Sequence, residues 1–148
     1  MIAIDTDVLD IHHIFQNSPR YETTKEFFIN IKEKLKTITI FNLLELAGIF
    51  ASANRAKESR DVFERYLRAD NISILFPELT EGDARHFWQV VTSECFSRIQ
   101  KGMRLGDAVI LWTLETNENI DAFITWNIRH FKDKTSLKVL TPAEFLQT

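Results

Sequence analysis

Five acidic residues in this chain stand where chemistry could be done, and their types limit what that chemistry is. Asp5, Asp7 and Asp10 fall inside "MIAIDTDVLDI", a run that is otherwise mostly apolar. Glu45 lies in "FNLLELAGIF", and Asp107 opens "DAVILWTLETN". An ionised carboxylate in an apolar setting is costly unless it is paired or bound to a cation. Several such groups brought together without an obvious Lys or Arg partner repel one another, and a divalent cation relieves that repulsion. Hard oxygen ligands, with no paired His or Cys ligands, favour Mg²⁺ or Mn²⁺ over zinc. The reaction open to such an ion is attack of water on a phosphodiester, with the metal activating the water and neutralising phosphate charge.

Each acid also has a plainer use. Asp5 or Thr6 could cap the helix that follows, and Glu45 could complete a capping box with Asn42. Asp107 could be an acid placed to suit a helix dipole. Asp10, one turn into the first helix, is expected to face solvent or a basic neighbour.

The elements that must position these residues alternate. Residues 1–4 read as a strand ending at Asp5, followed by a helix over 6–16 that stops before Pro19. Apolar residues at helical spacing mark a helix over 21–35, and the β-branched "KTITI" at 36–40 is a strand. Helices are predicted over 41–54 and 58–69, then a strand over 71–76. Thr80, with Asp83 three residues later, opens a long helix to about Gln100. Residues 101–106 break the pattern before an apolar helix over 107–117. Strands over 121–126 and 137–141 follow, and Thr141, Pro142 and Glu144 mark a last helix start. Strands separated by helices imply βα crossovers and a mostly parallel sheet covered on both faces. The predicted fold is one α/β domain over 1–148, a three-layer α/β/α sandwich with four or five mainly parallel strands.

In such a sheet, ligand sites collect beyond the carboxyl ends of the strands. Asp5 falls there, Glu45 lies one helical turn beyond the second strand, and "TWN" puts Thr125 and Asn127 at the same edge. Asp107 begins a helix, so spacing alone does not bring it to that edge.

Composition sets outer bounds. The chain is 45% hydrophobic and 26% charged, with four Gly, three Pro and a net charge of −3, which excludes binding to nucleic acid by bulk positive charge. One cysteine, Cys95, excludes an internal disulfide and suits a reducing compartment. No basic leader precedes the first strand and no apolar run reaches about 18 residues. The expectation is a cytoplasmic protein without a membrane span.

The segments "IDTDVL", "TIFNLLELAGIF", "LGDAVILW" and "FITWNIRHF", in this order, resemble the signature of PIN-domain nucleases, most of all the VapC-type toxins of toxin–antitoxin pairs. The resemblance spans nearly the whole chain. It implies a Mg²⁺- or Mn²⁺-dependent endoribonuclease on a PIN-like sandwich, neutralised by a small antitoxin and able to form a homodimer. Asp5, Glu45 and Asp107 fall on the family's first three acids and would hold the metal. The fourth position, often aspartate, is Asn127, which removes one charge and implies one ion plus substrate as the resting arrangement. Thr6 matches the hydroxyl residue after the first acid, and Thr125 precedes Asn127 in the matching step. Asp7 stands where Asn or Ser is more usual in that family.

Two rivals share some of these residues. "DTDVL" also resembles the opening of haloacid-dehalogenase-type phosphatases. Asp5 would then be a nucleophile and Asp7 a general acid/base. Thr39 or Thr125 would bind phosphate, Lys101 would be the cation and Asp107 the metal ligand. That match fails at Leu9 and at Leu111 or Trp112, and leaves Glu45 unused. The second rival is a PIN-like binding domain without activity.

Arg98, Lys101, Arg104, Arg129, His130 and Lys132 flank the two later segments. Each alone is an ordinary solvated residue; as a group they are candidate contacts for an RNA backbone. His12 and His13 are adjacent on a helix and point about 100° apart, so they form no metal pair. Cys95, Trp88, Trp112 and Trp126 are expected in the core, with Trp126 close enough to the acids to stack on a base.

Overall fold

The computed structural model describes residues 1–78, 82–117 and 119–148. Five strands, β1 (Ile2–Ile4), β2 (Lys36–Thr39), β3 (Ile72–Leu75), β4 (Ala122–Ile124) and β5 (Val139–Leu140), form one sheet. Its order is β3-β2-β1-β4-β5 and every pairing is parallel. Among the described residues the helices are α1 (Thr6–His13), α2 (Tyr21–Asn30), α3 (Ile40–Ser52), α4 (Ala56–Arg68), α5 (Ala84–Gln100), α6 (Leu105–Glu115), α7 (Ile128–Phe131) and α8 (Pro142–Phe145). This is the expected α/β sandwich of PIN-like form.

Side-chain alternation along the central strands builds the two faces. Ile2, Ile4, Ala122 and Ile124 pack with Val8, Leu9, Phe27, Leu43 and Phe50 of the α1–α4 layer. Ala3 and Phe123 face the opposite way, against Ala108, Leu111, Leu114 and Phe131. Cys95 and Trp112 join α5 to α6 in a smaller apolar cluster. Trp88, expected in this core, is instead 62% exposed on the outer side of α5.

Helix starts place the functional residues. The capping box at the start of α3 is formed by Thr39 and Asn42, not by Asn42 and Glu45: Thr39 Oγ1 accepts from Asn42 N–H, and Asn42 Oδ1 accepts from Thr39 N–H. β2 therefore stops at Thr39, and Glu45 is left with no part in the cap. α6 begins at Leu105, two residues before the predicted start, which puts Asp107 in its first turn. Thr80 lies outside the described residues; Asp83 caps α5 by accepting from His86 N–H. The Thr141–Glu144 box opens α8 as the sequence indicates. α2 ends at Asn30, short of the predicted 35. There the ammonium of buried Lys36 takes up the carbonyls of Ile31, Lys32 and Lys34, each at 3.1 Å.

The far end of α1 carries a half-buried base. His13 Nε2 lies 2.9 Å from the Tyr66 hydroxyl, and Arg55 donates to the His13 carbonyl. Burial, with His12, Arg65 and Arg55 nearby, pushes the His13 imidazole down from 6.5 to about 3. The folded protein thus keeps His13 neutral while the unfolded chain takes up a proton. Stability from this group is complete above pH 6.5 and falls as the pH drops toward 3. Compared with His13→Gln, the native chain is expected to lose about 3 kcal/mol more between pH 7 and pH 4 in urea titrations. Parallel losses in both proteins would refute this.

Candidate metal centre

The strand order reverses direction at β1: the chain builds outward through β2 and β3, then crosses back to lay β4 on the other side. The crevice at such a switch point is the natural ligand site of an open parallel sheet. Asp5 follows β1 directly and Thr125 follows β4, so the two meet across this crevice.

Asp5 is the N-cap of α1 and is 6% exposed. Its Oδ1 accepts from Thr6 N–H at 2.8 Å, and its Oδ2 accepts from Thr125 Oγ1 at 2.8 Å. The same carboxylate therefore caps α1 and lines the cavity. Asp7 accepts from Trp126 N–H at 3.1 Å, and its Oδ2 lies 3.1 Å from the same Thr125 hydroxyl. Thr125 Oγ1 in turn accepts from Asn127 N–H at 3.0 Å, which shapes the loop after β4. On the α3 side, Thr6 Oγ1 donates to Glu45 Oε2 at 2.6 Å and accepts from Asn42 Nδ2 at 3.0 Å. Asp107, from the first turn of α6, lies 3.2 Å from His130 Nδ1, and Asn127 Nδ2 is 2.8 Å from the same nitrogen.

A cavity of about 180 Å³ opens between these groups, lined by Asp5, Asp7, Asp10, Glu45, Asp107 and Asn127, together with Thr6, Ile49, Arg104 and His130. Its electrostatics are those of crowded acids. Burial, then the charge of Asp7, raises the Asp5 carboxyl well above its ordinary value. Burial lifts Asp7 to about 6, against hydrogen bonds from Trp126 and Thr125. Asp10 rises to about 7 through burial and the charges of Asp7 and Glu45. The expectation that Asp10 faces solvent is thus corrected: the α1 turn carries it round to the cavity wall.

The donor set suits a hard divalent ion. Five carboxylates and an amide line the cavity, against one guanidinium and one imidazole. Among the described residues, no three His, Cys, Asp or Glu side chains close tightly enough on one point to hold an ion as they stand. An ion of the Mg²⁺ type keeps several waters and takes only one or two carboxylates directly, which fits a ring this wide.

The basic residues divide sharply. Arg104 lines the cavity. Arg98 is turned inward, 2.7 Å from Glu115, and is only 16% exposed, so it ties α5 to α6 and is not presented to RNA. Lys101, Arg129 and Lys132 are exposed but do not line the cavity. Trp126 is held as a structural residue: its Nε1 donates to Thr24 and Arg20 stacks over its ring at 5.1 Å. Sequence reasoning missed Asn42 as a second support for Thr6. The signal was its place three residues after the Thr39 that ends a strand.

The sequence matches no family model, and no curated protein matches it. Solved structures do match. A chain of VapBC2 from Rickettsia felis, bound to a DNA fragment from their promoter, is 19% identical with a TM-score of 0.61, covering 95% of this chain and 98% of that one. A toxin–antitoxin complex from Klebsiella pneumoniae gives 18% identity and a TM-score of 0.56 over 96% and 98% of the two chains. FitAcB from Neisseria gonorrhoeae gives 15% and 0.58 over 97% and 99%. The chain therefore has a PIN-like fold, the architecture it shares over nearly its whole length with these chains of toxin–antitoxin complexes.

Proposed function

We propose that the protein is a Mg²⁺- or Mn²⁺-dependent endoribonuclease and the toxin of a toxin–antitoxin pair. One observation carries the reading: acids far apart in sequence, Asp5, Asp7, Glu45 and Asp107, ring one cavity at the sheet's switch point. Asp5, Glu45 and Asp107 would hold the metal, directly or through water, with Asp7 beside them. A bound divalent ion supplies activation of water and neutralisation of phosphate charge. The chain's own residues do the rest. Thr125 and Thr6 hold the carboxylates in place, and Asn127 lines the wall as a neutral hydrogen-bonding group. Arg104 puts a guanidinium at the cavity, where an RNA phosphate would enter. Lys101, Arg129 and Lys132 would extend that contact along the backbone.

The test is RNA cleavage with Mn²⁺, comparing wild type with Asp107→Asn and with chelated samples. Cleavage is expected to need the metal and to fall about 10²-fold in the variant. Undiminished activity of Asp107→Asn would sink the assignment. No cleavage by wild type under any metal would favour a PIN-like binding domain without activity.

The phosphatase reading has less support. Thr39 gives its hydroxyl to Asn42, and Lys101 does not line the cavity. Glu45, unused in that scheme, is hydrogen-bonded into this one.

A partner surface lies next door. An apolar groove of about 610 Å³ runs between α3, α5 and α6 past Trp88, Phe96, Ile99 and Leu105, and Glu45 lines both it and the acidic cavity. Exposed apolar residues gathered in one groove suit a protein interface. In this reading a small antitoxin covers it, and its continuity with the acids would let a basic residue reach them. A second copy of the chain is the competing occupant, distinguished by the mass of the purified chain alone.

A further inference from the structure

The histidine after β4 has a place that the acids alone do not explain. His130 starts from α7, a single turn, yet its Nδ1 sits within reach of two cavity groups from different elements. Asp107 Oδ2 of α6 is 3.2 Å away, and Asn127 Nδ2 is 2.8 Å away. The ring lies at the cavity wall and is 39% exposed, so it is not there to fill the core. One ring nitrogen serves one partner at a time: it donates to the carboxylate when it bears the proton, and accepts from the amide when it does not. In either form it fixes a side chain that would otherwise rotate freely toward water.

We infer that His130 is a positioning residue of the metal centre, setting Asp107 and Asn127 at the cavity wall. The inference rests on the metal-dependent reading above and adds to it a residue that touches neither reacting atoms nor, of necessity, the ion. Outer partners that orient metal ligands typically matter about 10–100-fold in affinity. In its absence the α6 carboxylate keeps its charge but loses its aim. The half-exposed ring contributes little packing, so the fold does not depend on it.

The experiment measures Mn²⁺ binding by electron paramagnetic resonance on wild type, His130→Ala and His130→Asn, alongside melting of the metal-free proteins. An asparagine amide can occupy the position of Nδ1, so it serves as the conservative replacement. Expected are about tenfold weaker Mn²⁺ binding in His130→Ala, recovery of most of it in His130→Asn, and metal-free melting equal to wild type in both. Unchanged affinity in His130→Ala would overturn the inference and leave the metal centre intact. Equal weakness of the Ala and Asn variants would overturn it too, since the hydrogen bond would then be irrelevant. If wild type itself binds no Mn²⁺, the metal centre falls, and this inference with it.

Discussion

Asp5→Asn is expected to remove activity and, in the same protein, to raise the melting temperature of the metal-free form. The two effects have one cause. Asp5 is 6% exposed and faces Asp7 and Asp107, so its charge is disfavoured in the fold without a cation. Asparagine keeps the acceptor that Thr6 N–H requires and removes the charge. It turns an amide N–H toward the Thr125 oxygen, leaving that hydroxyl free to donate to Asp7. Each kcal/mol recovered shifts melting by about 2–4 °C in a chain of this size. If Asp5 holds the metal as proposed, its loss costs catalysis on the order of 10²–10³-fold, the scale of a preorganised electrostatic group. Differential scanning calorimetry in EDTA and cleavage assays in Mn²⁺ check both halves. A variant that melts lower than wild type in EDTA would show that the charge is not a strain on the fold. Adding Mn²⁺ should reverse the order, since at a hundred times its Kd a ligand stabilises by about 2.7 kcal/mol.

Thr125→Val is expected to be the most damaging conservative change at the site. The hydroxyl is fully buried, and it lies 2.8 Å from Asp5 and 3.1 Å from Asp7 while accepting from the backbone of Asn127. Valine has the same shape and none of these bonds. Two acids lose a shared donor and one buried N–H loses its acceptor, so the loss should be about 2–3 kcal/mol at neutral pH. The cost shrinks in acid. Asp7 titrates at about 6, and once protonated it no longer depends on a donor. Since the folded carboxyl is raised above its unfolded value, its charge burdens the fold as pH rises through about 6, and the Thr125 bond offsets that burden there. Urea denaturation of Thr125→Val and Thr125→Ser at pH 5 and pH 8 checks this. Serine should hold most of the stability at both, and a valine penalty independent of pH would contradict the account.

What can be read from sequence follows from how local each signal is. β1, β2 and β4 announce themselves because strands buried on both faces are continuous apolar or β-branched runs. Asp5, Thr125 and Asn127 follow from their positions next to those runs. Asp107 reaches the edge through the crossover of α6, so only the resemblance places it. Helix ends are least legible. α2 stops early because of Lys36, whose three carbonyl bonds depend on a turn that periodicity does not encode. Asp10 and Arg98 depart from expectation for a related reason: whether a charged side chain turns in or out depends on a partner contributed by another element. His130 reads in sequence as one more surface cation because four residues give no helical pattern.

The pairing of β1 with β4 joins Ile2 to Ala122 and Ile4 to Ile124. Contacts that span most of a chain form late, after closure of the intervening loop. During synthesis the first three strands and their helices can assemble while the segment with Arg104, Asp107, Thr125 and Asn127 is still unmade. Half of the acidic cavity then exists, with no opposite wall. If the protein cuts RNA as proposed, its competence to do so arrives only as the last part of the chain docks beside β1. On that reading, a chain split between β3 and α5 would yield two fragments inactive apart and active only on recombination.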